Sequence, residues 1–447
     1  MKPQQRTLLL DGRTGEGGGQ LVRLACALAA VTSQPVRINN VRGNRSGGRG
    51  GGLKAQHVAA IKWLAAATDA AVDGLSVGSK TLEFRPFAPP TALKSRKITI
   101  AAETRSASTL LILQAIFPYL LYAGNADGDP IELEINGGTN CSFSLSYEYL
   151  DQVLVPTLRE RYGVEIETEL KVRGWTLGPN HERGSVRIKF QPIRPGQTLQ
   201  LVKPWPAQFT PKDFEMKQIN ITILAPDLLQ QPLHEALLHY LDTAFPGTQV
   251  DLVRSERTSH SAQIYALAVA HSQTGLRWGQ DFLYDKGTKN KKPEKIAIDI
   301  ARTISRQLRG QAIDRGTPFD EYLEDQLIVF QALSNAATEY PVLEAGHLDS
   351  RDGADPDEEI NGLIEGIKSI PSEKRMRKDK THEPFGNGST HTTTARWVVS
   401  ELMPTIEWFN KGSICKGAGV SFDVSIDNGL SRSDLAVQPQ SSEVANP

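Results

Sequence analysis

The sequence predicts a mixed α/β (α+β) protein: a large domain of three repeated β-α-β-α-β units, with a smaller α/β domain inserted into it. Three observations predict this. Strand-like and helix-like apolar runs alternate, glycine-rich loops lie between them, and one order of strand, polar loop and helix recurs. In the first unit, residues 7–11 read as a strand and the glycine-rich stretch 12–19 follows. Residues 20–32 read as a helix of small and apolar residues, and 35–41 as a strand carrying Val36, Ile38 and Val41. A second glycine-rich loop, 43–52, leads to a helix over 53–68 and a strand over 82–85. The second unit has a strand at 97–101, a Ser/Thr stretch at 104–109, a helix at 110–123 and a strand at 131–135 that ends on Gly137-Gly138-Thr139. A helix over 146–162 and a strand over 186–190 complete it. A third, degraded copy begins near Glu321, with a helix at 322–335, a polar loop at 388–394 and a helix at 395–403.

Residues 196–312 break this rhythm. Strands are expected there at 218–224 and 263–270, and helices at 231–245 and 296–308. The expected layout is therefore 1–195 for the first two repeats of the large domain and 196–312 for the inserted α/β domain. The third repeat takes 313–430 with a disordered insert at about 344–388, and 431–447 is a disordered tail. The insert has an acidic half, 349–359, and a basic half, 374–380, which reads either as solvated charge or as a nuclear-localisation patch.

Lys and Arg number 50 against 51 Asp and Glu, a net charge of -1. That balance excludes a protein that coats nucleic acid by bulk charge, and leaves room for a local basic pocket. No run of 18 apolar residues occurs, so no membrane partner is expected. Residues 1–6 lack the apolar stretch of a secretory signal, so the expected location is nuclear or cytoplasmic. Cys26, Cys141 and Cys415 are scattered, which suits neither a disulfide framework nor a zinc site.

Gly15-Glu16-Gly17-Gly18-Gly19-Gln20 lies between a strand and a helix. Such a loop brings backbone N–H groups to a phosphate at a helix N-terminus; it serves equally as a tight connection. It is neither a Walker loop nor a dinucleotide fingerprint. Glu16 is out of place beside a phosphate unless a cation stands between them. Arg23, Arg42, Arg45 and Arg49 surround the two glycine loops, either as phosphate ligands or as solvated charge. Gln56 and His57 open the next helix, where His57 is a ligand, a base or a helix-start hydrogen bonder. Residues 320–327 are an acidic helix start, which suits the helix dipole; Tyr322, Asp325 and Gln326 nonetheless share one helix face. His391, ringed by hydroxyls at a loop-to-helix junction, reads as a nucleophile or as a capping residue. His234 and His239 have no metal-site spacing.

Taken together, these motifs resemble the RNA 3'-terminal phosphate cyclase family. Leu10-Asp11-Gly12-x-x-Gly15-Glu16-Gly17-Gly18-Gly19-Gln20-x-x-Arg23 is similar to its opening motif, and Arg42-x-x-Arg45 followed by Gln56-His57 to its second. Gln114 in Leu113-Gln114-x-x-x-Pro118, Gly137-Gly138-Thr139, Asp320-Glu321-Tyr322-Leu323-x-Asp325-Gln326-Leu327 and His391-Thr392-x-Thr394-Ala395 are similar to the other four, in order. The resemblance implies an ATP-dependent enzyme of the nucleotidyl-transferring ligase type. His391 would take AMP from ATP, pass it to an RNA 3'-phosphate, and the neighbouring 2'-OH would close a 2',3'-cyclic phosphate. It further implies that Glu16 places Mg2+ or Mn2+, and that Gln20, Gln114, Tyr322, Asp325 and Gln326 bind ATP. Arg23, Arg42, Arg45, Gln56 and His57 would hold phosphates and the RNA end. The chain departs from the family pattern at 46–52, at Leu145 where the family carries Pro, and at 175–184. The alternative is a non-catalytic cyclase-like scaffold in ribosome assembly, a branch that lacks the histidine and the intact glycine loop, both of which stand here. The expected partners are ATP and RNA 3' ends, with oligomeric state left open.

Overall fold

A short apolar strand followed by a helix that is buried on every side organises the first sheet. The computed structural model describes residues 6–45, 50–177, 183–206, 208–285, 291–339 and 386–423. The first unit runs β1 (Leu8–Asp11), α1 (Gly19–Thr32), β2 (Val36–Asn39), α2 (Ala55–Ala67), β3 (Ala71–Asp73) and β4 (Leu82–Arg85). Its sheet order is β1-β2-β4-β3, with β1 and β2 parallel and the other pairs antiparallel. Residues 20–31 of α1 are all buried, because α2, α3 (Thr109–Leu121) and α9 (Thr390–Leu402) pack around it. That enclosure explains its run of Ala, Leu and Val with no polar face.

The second unit repeats the plan. β5 (Lys97–Ala101), α3, β6 (Ile131–Gly137), β7 (Ile166–Val172) and β8 (Gly184–Phe190) form a sheet ordered β5-β6-β8-β7. Again the first pair is parallel and the rest antiparallel. Its second helix is α4 (Tyr147–Tyr149), a π turn at Leu150–Leu154, and α5 (Val155–Tyr162). β9 (Met216–Ala225), α6 (Asp227–Ala244), β10 (Gln249–Arg257), β11 (Tyr265–Ser272), β12 (Arg277–Leu283) and α7 (Pro293–Arg309) make a third mixed sheet, ordered β10-β9-β11-β12. Then follow α8 (Glu321–Leu333), β13 (Ala337–Glu339), α9, β14 (Glu407–Phe409) and β15 (Ile414–Lys416). Their antiparallel sheet, β13-β15-β14, lacks an opening parallel strand among the described residues. The third copy is thus more degraded than a full β-α-β-α-β unit.

Two local expectations are corrected. The loop expected at 388–394 is mostly helix, because Ser389 caps the first turn by accepting from Thr392 N at 3.1 Å. Residues 386–388, expected in the disordered insert, hold a defined path: Asn387 N donates to Lys411 O at 2.8 Å. The remainder of that expected insert, 344–385, and the expected tail, 431–447, lie outside the described residues. No helix among the described residues is long and apolar enough to cross a membrane.

Asp320 joins three of these parts. It caps α8, and its Oδ1 accepts from Tyr322 N at 3.0 Å, Leu323 N at 2.9 Å and the Tyr149 hydroxyl at 2.5 Å. Its Oδ2 accepts from Gly279 N of β12 at 2.8 Å. A Cβ at Gly279 would lie 2.7 Å from the Tyr149 ring, so only glycine lets the strand approach this closely. Burial raises the Asp320 carboxyl above its usual value, and the hydrogen bonds oppose that rise. Asp320→Ala strands a buried hydroxyl and a buried N–H and removes a helix cap, so it should lower unfolding stability by about 3–5 kcal/mol in urea titration. Asp320→Asn, which keeps an acceptor oxygen, should lose less.

Candidate active site

The loop from β1 to α1 turns through Gly15 (φ 62°) and Gly17 (φ 60°), left-handed positions that suit glycine. Glu16 N donates to Thr394 Oγ1 of α9 at 2.9 Å, which pins the loop against the far end of the sequence. A Cβ on Gly19 would lie 2.6 Å from His57 Nε2 and 2.8 Å from Arg23 Nη1. The Arg23 and His57 side chains therefore lie directly against the first turn of α1. His57 Nδ1 accepts from Lys54 N at 3.0 Å, so the ring proton sits on Nε2. That buried Nε2–H has no hydrogen-bond partner among the described residues. Burial, followed by Arg23, Arg42 and Lys54, holds the His57 imidazole well below its usual value, so the ring is neutral.

Arg23 is buried, and burial with the help of Arg42 pushes its guanidinium down to about 10 against the pull of Asp325. It remains charged at neutral pH. Arg42 is a non-glycine residue at φ 56° and reaches Gly52 O at 3.3 Å. A helix N-terminus, two guanidinium groups and an unpartnered N–H converge here, which is an arrangement for an anion. Arg45 is ion-paired with Oε1 of the largely buried Glu16 carboxylate, and among the described residues no other group donates to the Glu16 oxygens. Gln56 is partly buried in the same turn as His57 and takes no part in the hydrogen bonds that link the other residues described here. Arg49 lies outside the described residues.

A continuous hydrogen-bonded chain crosses the floor of the site. His391 Nδ1 stands 3.2 Å from Gln20 Oε1, and Gln20 Nε2 donates to Asp325 Oδ2 at 2.8 Å. Gln326 Nε2 donates to Asp325 Oδ1 at 2.6 Å, Gln114 Nε2 donates to Gln326 Oε1 at 3.2 Å, and Arg23 Nε donates to Gln114 Oε1 at 2.5 Å. Four helices, α1, α3, α8 and α9, contribute to it. Both Asp325 oxygens accept from amides, which orients each glutamine. Gln20 must then present its oxygen to His391, so the proton is assigned to His391 Nδ1 and Nε2 keeps its lone pair. Burial of its inner edge, then Arg23 and Arg45, holds the His391 imidazole below its usual 6.5, while Glu321 opposes them. Burial likewise pushes the Asp325 carboxyl up to about 7, against the Gln326 hydrogen bond and Arg23.

Beside this chain opens an apolar pocket. Leu24, Leu113, Phe117, Leu145, Leu150 and Phe330 are among its lining, with Gln114, Asp325 and Gln326 as polar members. Leu145, at the position where a proline was expected from the resemblance, is one of its walls. Tyr322 stands one turn before Gln326 with 36% of its surface exposed, its ring edge-on to Tyr149 at 6.4 Å. Burial of the rest of the side chain raises its phenol to about 12. Tyr149 and Thr394 were not singled out as site residues from the sequence, because their partners are remote in the chain. His234 and His239 lie on α6, where the His239 ring meets Tyr240 at 5.2 Å.

The fold and the site together define an α/β protein in which two arginines and a histidine N–H gather at a buried helix N-terminus, beside a second histidine, His391, tied to it through Gln20. The family model described as RNA 3'-terminal phosphate cyclase matches residues 14–405. A Pyrococcus furiosus protein named RNA 3'-terminal phosphate cyclase is 31% identical over 334 residues, 73% of this chain and 86% of its own length. The protein of that name from Caldivirga maquilingensis is 30% identical over 353 residues, 75% of this chain and 88% of its own. One from Staphylothermus marinus is 30% identical over 336 residues, 73% and 84% of the two chains. The chain belongs to the RNA 3'-terminal phosphate cyclase family.

Gly19→Ala tests the anion pocket. The methyl group would displace Arg23 and His57 without forbidden backbone geometry, so nucleotide affinity should fall by about tenfold or more, read by equilibrium ATP binding. The melting temperature should change little.

Proposed function

We propose that the protein converts an RNA 3'-terminal phosphate to a 2',3'-cyclic phosphodiester with ATP, through adenylyl-histidine and RNA-adenylate intermediates. The observation that carries this reading is the chain from Asp325 through Gln20 to His391, which leaves Nε2 unprotonated at the edge of an anion pocket. In the first step His391 Nε2 attacks the α-phosphorus of ATP; the bond to the bridging oxygen breaks and pyrophosphate leaves. An oxygen of the RNA 3'-phosphate then attacks the same phosphorus, the phosphorus–nitrogen bond breaks, and His391 is restored. Last, the neighbouring 2'-OH attacks the RNA phosphorus, gives up its proton, and AMP leaves. A covalent intermediate divides one difficult displacement into easier ones.

The chain's own residues supply orientation and charge. Arg23, Arg42 and the His57 Nε2–H bind phosphate oxygens, where negative charge develops in each displacement. The apolar pocket walled by Leu145 and Phe117 takes the adenine, and Tyr322, one turn before Gln326 on the same helix, meets the nucleotide outside it. Gln56 and Arg45 border the place where the RNA end enters. The family also implies a divalent cation, Mg2+ or Mn2+. A largely buried Glu16 carboxylate whose one partner among the described residues is the half-exposed Arg45 fits such a cation beside a triphosphate. No group of three His, Cys, Asp or Glu gathers for a metal among the described residues, so its other ligands would be phosphate and water oxygens. When bound, it would neutralise triphosphate charge.

Incubation with ATP labelled on the α-phosphate and Mg2+ or Mn2+ should give an acid-labile, alkali-stable protein label that His391→Ala abolishes. A folded wild-type protein that takes no label overturns this reading in favour of a non-catalytic cyclase-like role. The pH dependence has a defined sign. Asp325 titrates at about 7, so it gains a proton as pH falls through 7 and no longer orients Gln20. Labelling should therefore fall below about pH 7, and Asp325→Asn should leave only the lower limb of His391, below 6.5.

A further inference from the structure

The chain through Gln20 holds His391 from one side. A second link holds it from the other, and none of its side chains is among those assigned above. Arg396 lies on α9 beyond His391, with its side chain 3% exposed. It reaches back toward the start of its own helix, where Nη1 donates to Asn387 O. Its Nη2 stands 3.3 Å from Glu324 Oε1 on α8. Glu324, 8% exposed, accepts from Arg315 Nη2 at 2.7 Å through its other oxygen. Glu324 is the immediate neighbour of Asp325. Three charges thus run in a row from the approach to α8, through α8, into α9.

Two glycines make room for this row. Gly388 sits at φ 112°, and a Cβ there would lie 2.8 Å from Glu324 Oε1. Gly412 sits at φ 90°, and a Cβ there would lie 2.5 Å from the Arg396 guanidinium carbon. The Trp408 ring stands 5.8 Å from the same guanidinium. A buried ion pair is a weak source of stability compared with apolar packing, but a planar guanidinium fork fixes direction. Here it fixes the turn that carries His391 against the turn that carries Asp325.

We propose that Arg396 and Glu324 are positioning residues for the nucleophile: they lock the first turn of α9 to α8 so that His391 is set before ATP binds. This rests on the reading of His391 as the group that takes AMP. Neither side chain lines the apolar pocket or joins the anion cluster; their effect reaches His391 through the first turn of α9, and Glu324 also bears on the neighbouring Asp325 carboxyl, which it helps to raise.

The test is single-turnover labelling from α-labelled ATP, over a range of ATP concentrations, in the full-length chain. Arg396→Lys keeps the charge but loses the fork. The paired change Arg396→Met with Glu324→Gln removes two buried charges together, which protects the fold. At saturating ATP the paired variant should label about 10- to 100-fold more slowly, the range expected when a reacting group shifts by about an ångström. The half-saturating ATP concentration should stay within about threefold of wild type, since ground-state binding is untouched. Arg396→Lys should fall between the two. Glu160→Gln breaks an ion pair with Arg277 at 2.8 Å, away from the site, and should label at the wild-type rate. Variants that label as fast as wild type, or that lose rate and ATP affinity together, overturn the positioning role. A wild-type chain that takes no label instead defeats the nucleotidyl-transfer reading, and this proposal with it.

Discussion

A buried carboxylate must be hydrogen-bonded or give up its charge, and Asp325 sits where it is nearly forced to choose. Two amide groups, from Gln20 and Gln326, satisfy its two oxygens. Each amide is thereby oriented, and each passes that orientation on: Gln20 to His391, Gln326 to Gln114 and so to Arg23. The tautomer of His391 and the placement of the buried Arg23 are set by one acid between them. A carboxylate in water would orient nothing, because solvent would compete for every bond.

The same arrangement reconciles the overall charge with an anionic ligand. The chain carries a net charge of -1, yet Arg23, Arg42 and Arg45 converge on one loop. Arg23 is buried and Arg42 partly so, which excludes water and salt and concentrates their effect, while Arg45 is half exposed. The acids near them are either consumed by amides, as at Asp325, or turned toward an arginine, as at Glu16. A local field of this kind leaves no trace in the composition.

Much of the fold was legible because apolar runs and glycine loops recur with one period, and the first two sheets share one strand order. The strands that went unread were β3, β7, β10, β12 and all three of the last sheet, β13, β14 and β15, each only three residues long. β3 has three residues, and β7 and β10 are edge strands with mostly polar, exposed side chains, so no apolar run marks them. The start of α9 was read as loop because Thr390 to Thr394 has low helix propensity; the Ser389 cap and burial against α1 override it. At the site, helical spacing placed Tyr322, Asp325 and Gln326 on one face. It equally supported a dipole reading of the acids in that turn, and for Asp320, the cap, that reading is the right one. That His391 belongs with Gln20 came from the family resemblance, since spacing along the chain carries no such information.

The hydrogen bonds that close the site join residues far apart in the chain: Glu16 to Thr394 across 378 positions, His391 to Gln20 across 371 and Asp325 to Gln20 across 305. The glycine loop with Gln20 and Arg23 is translated early, and His391 with Thr394 late. A chain still on the ribosome can fold its first sheet while His391 and Thr394 do not yet exist, and the glycine loop then waits for its partners. Contacts of such long range also close late when a finished chain folds. The bonds that pin the first glycine loop and hold Gln20 thus exist only once residues 391–394 have been made, and a product terminated before them would carry that loop without its clasp.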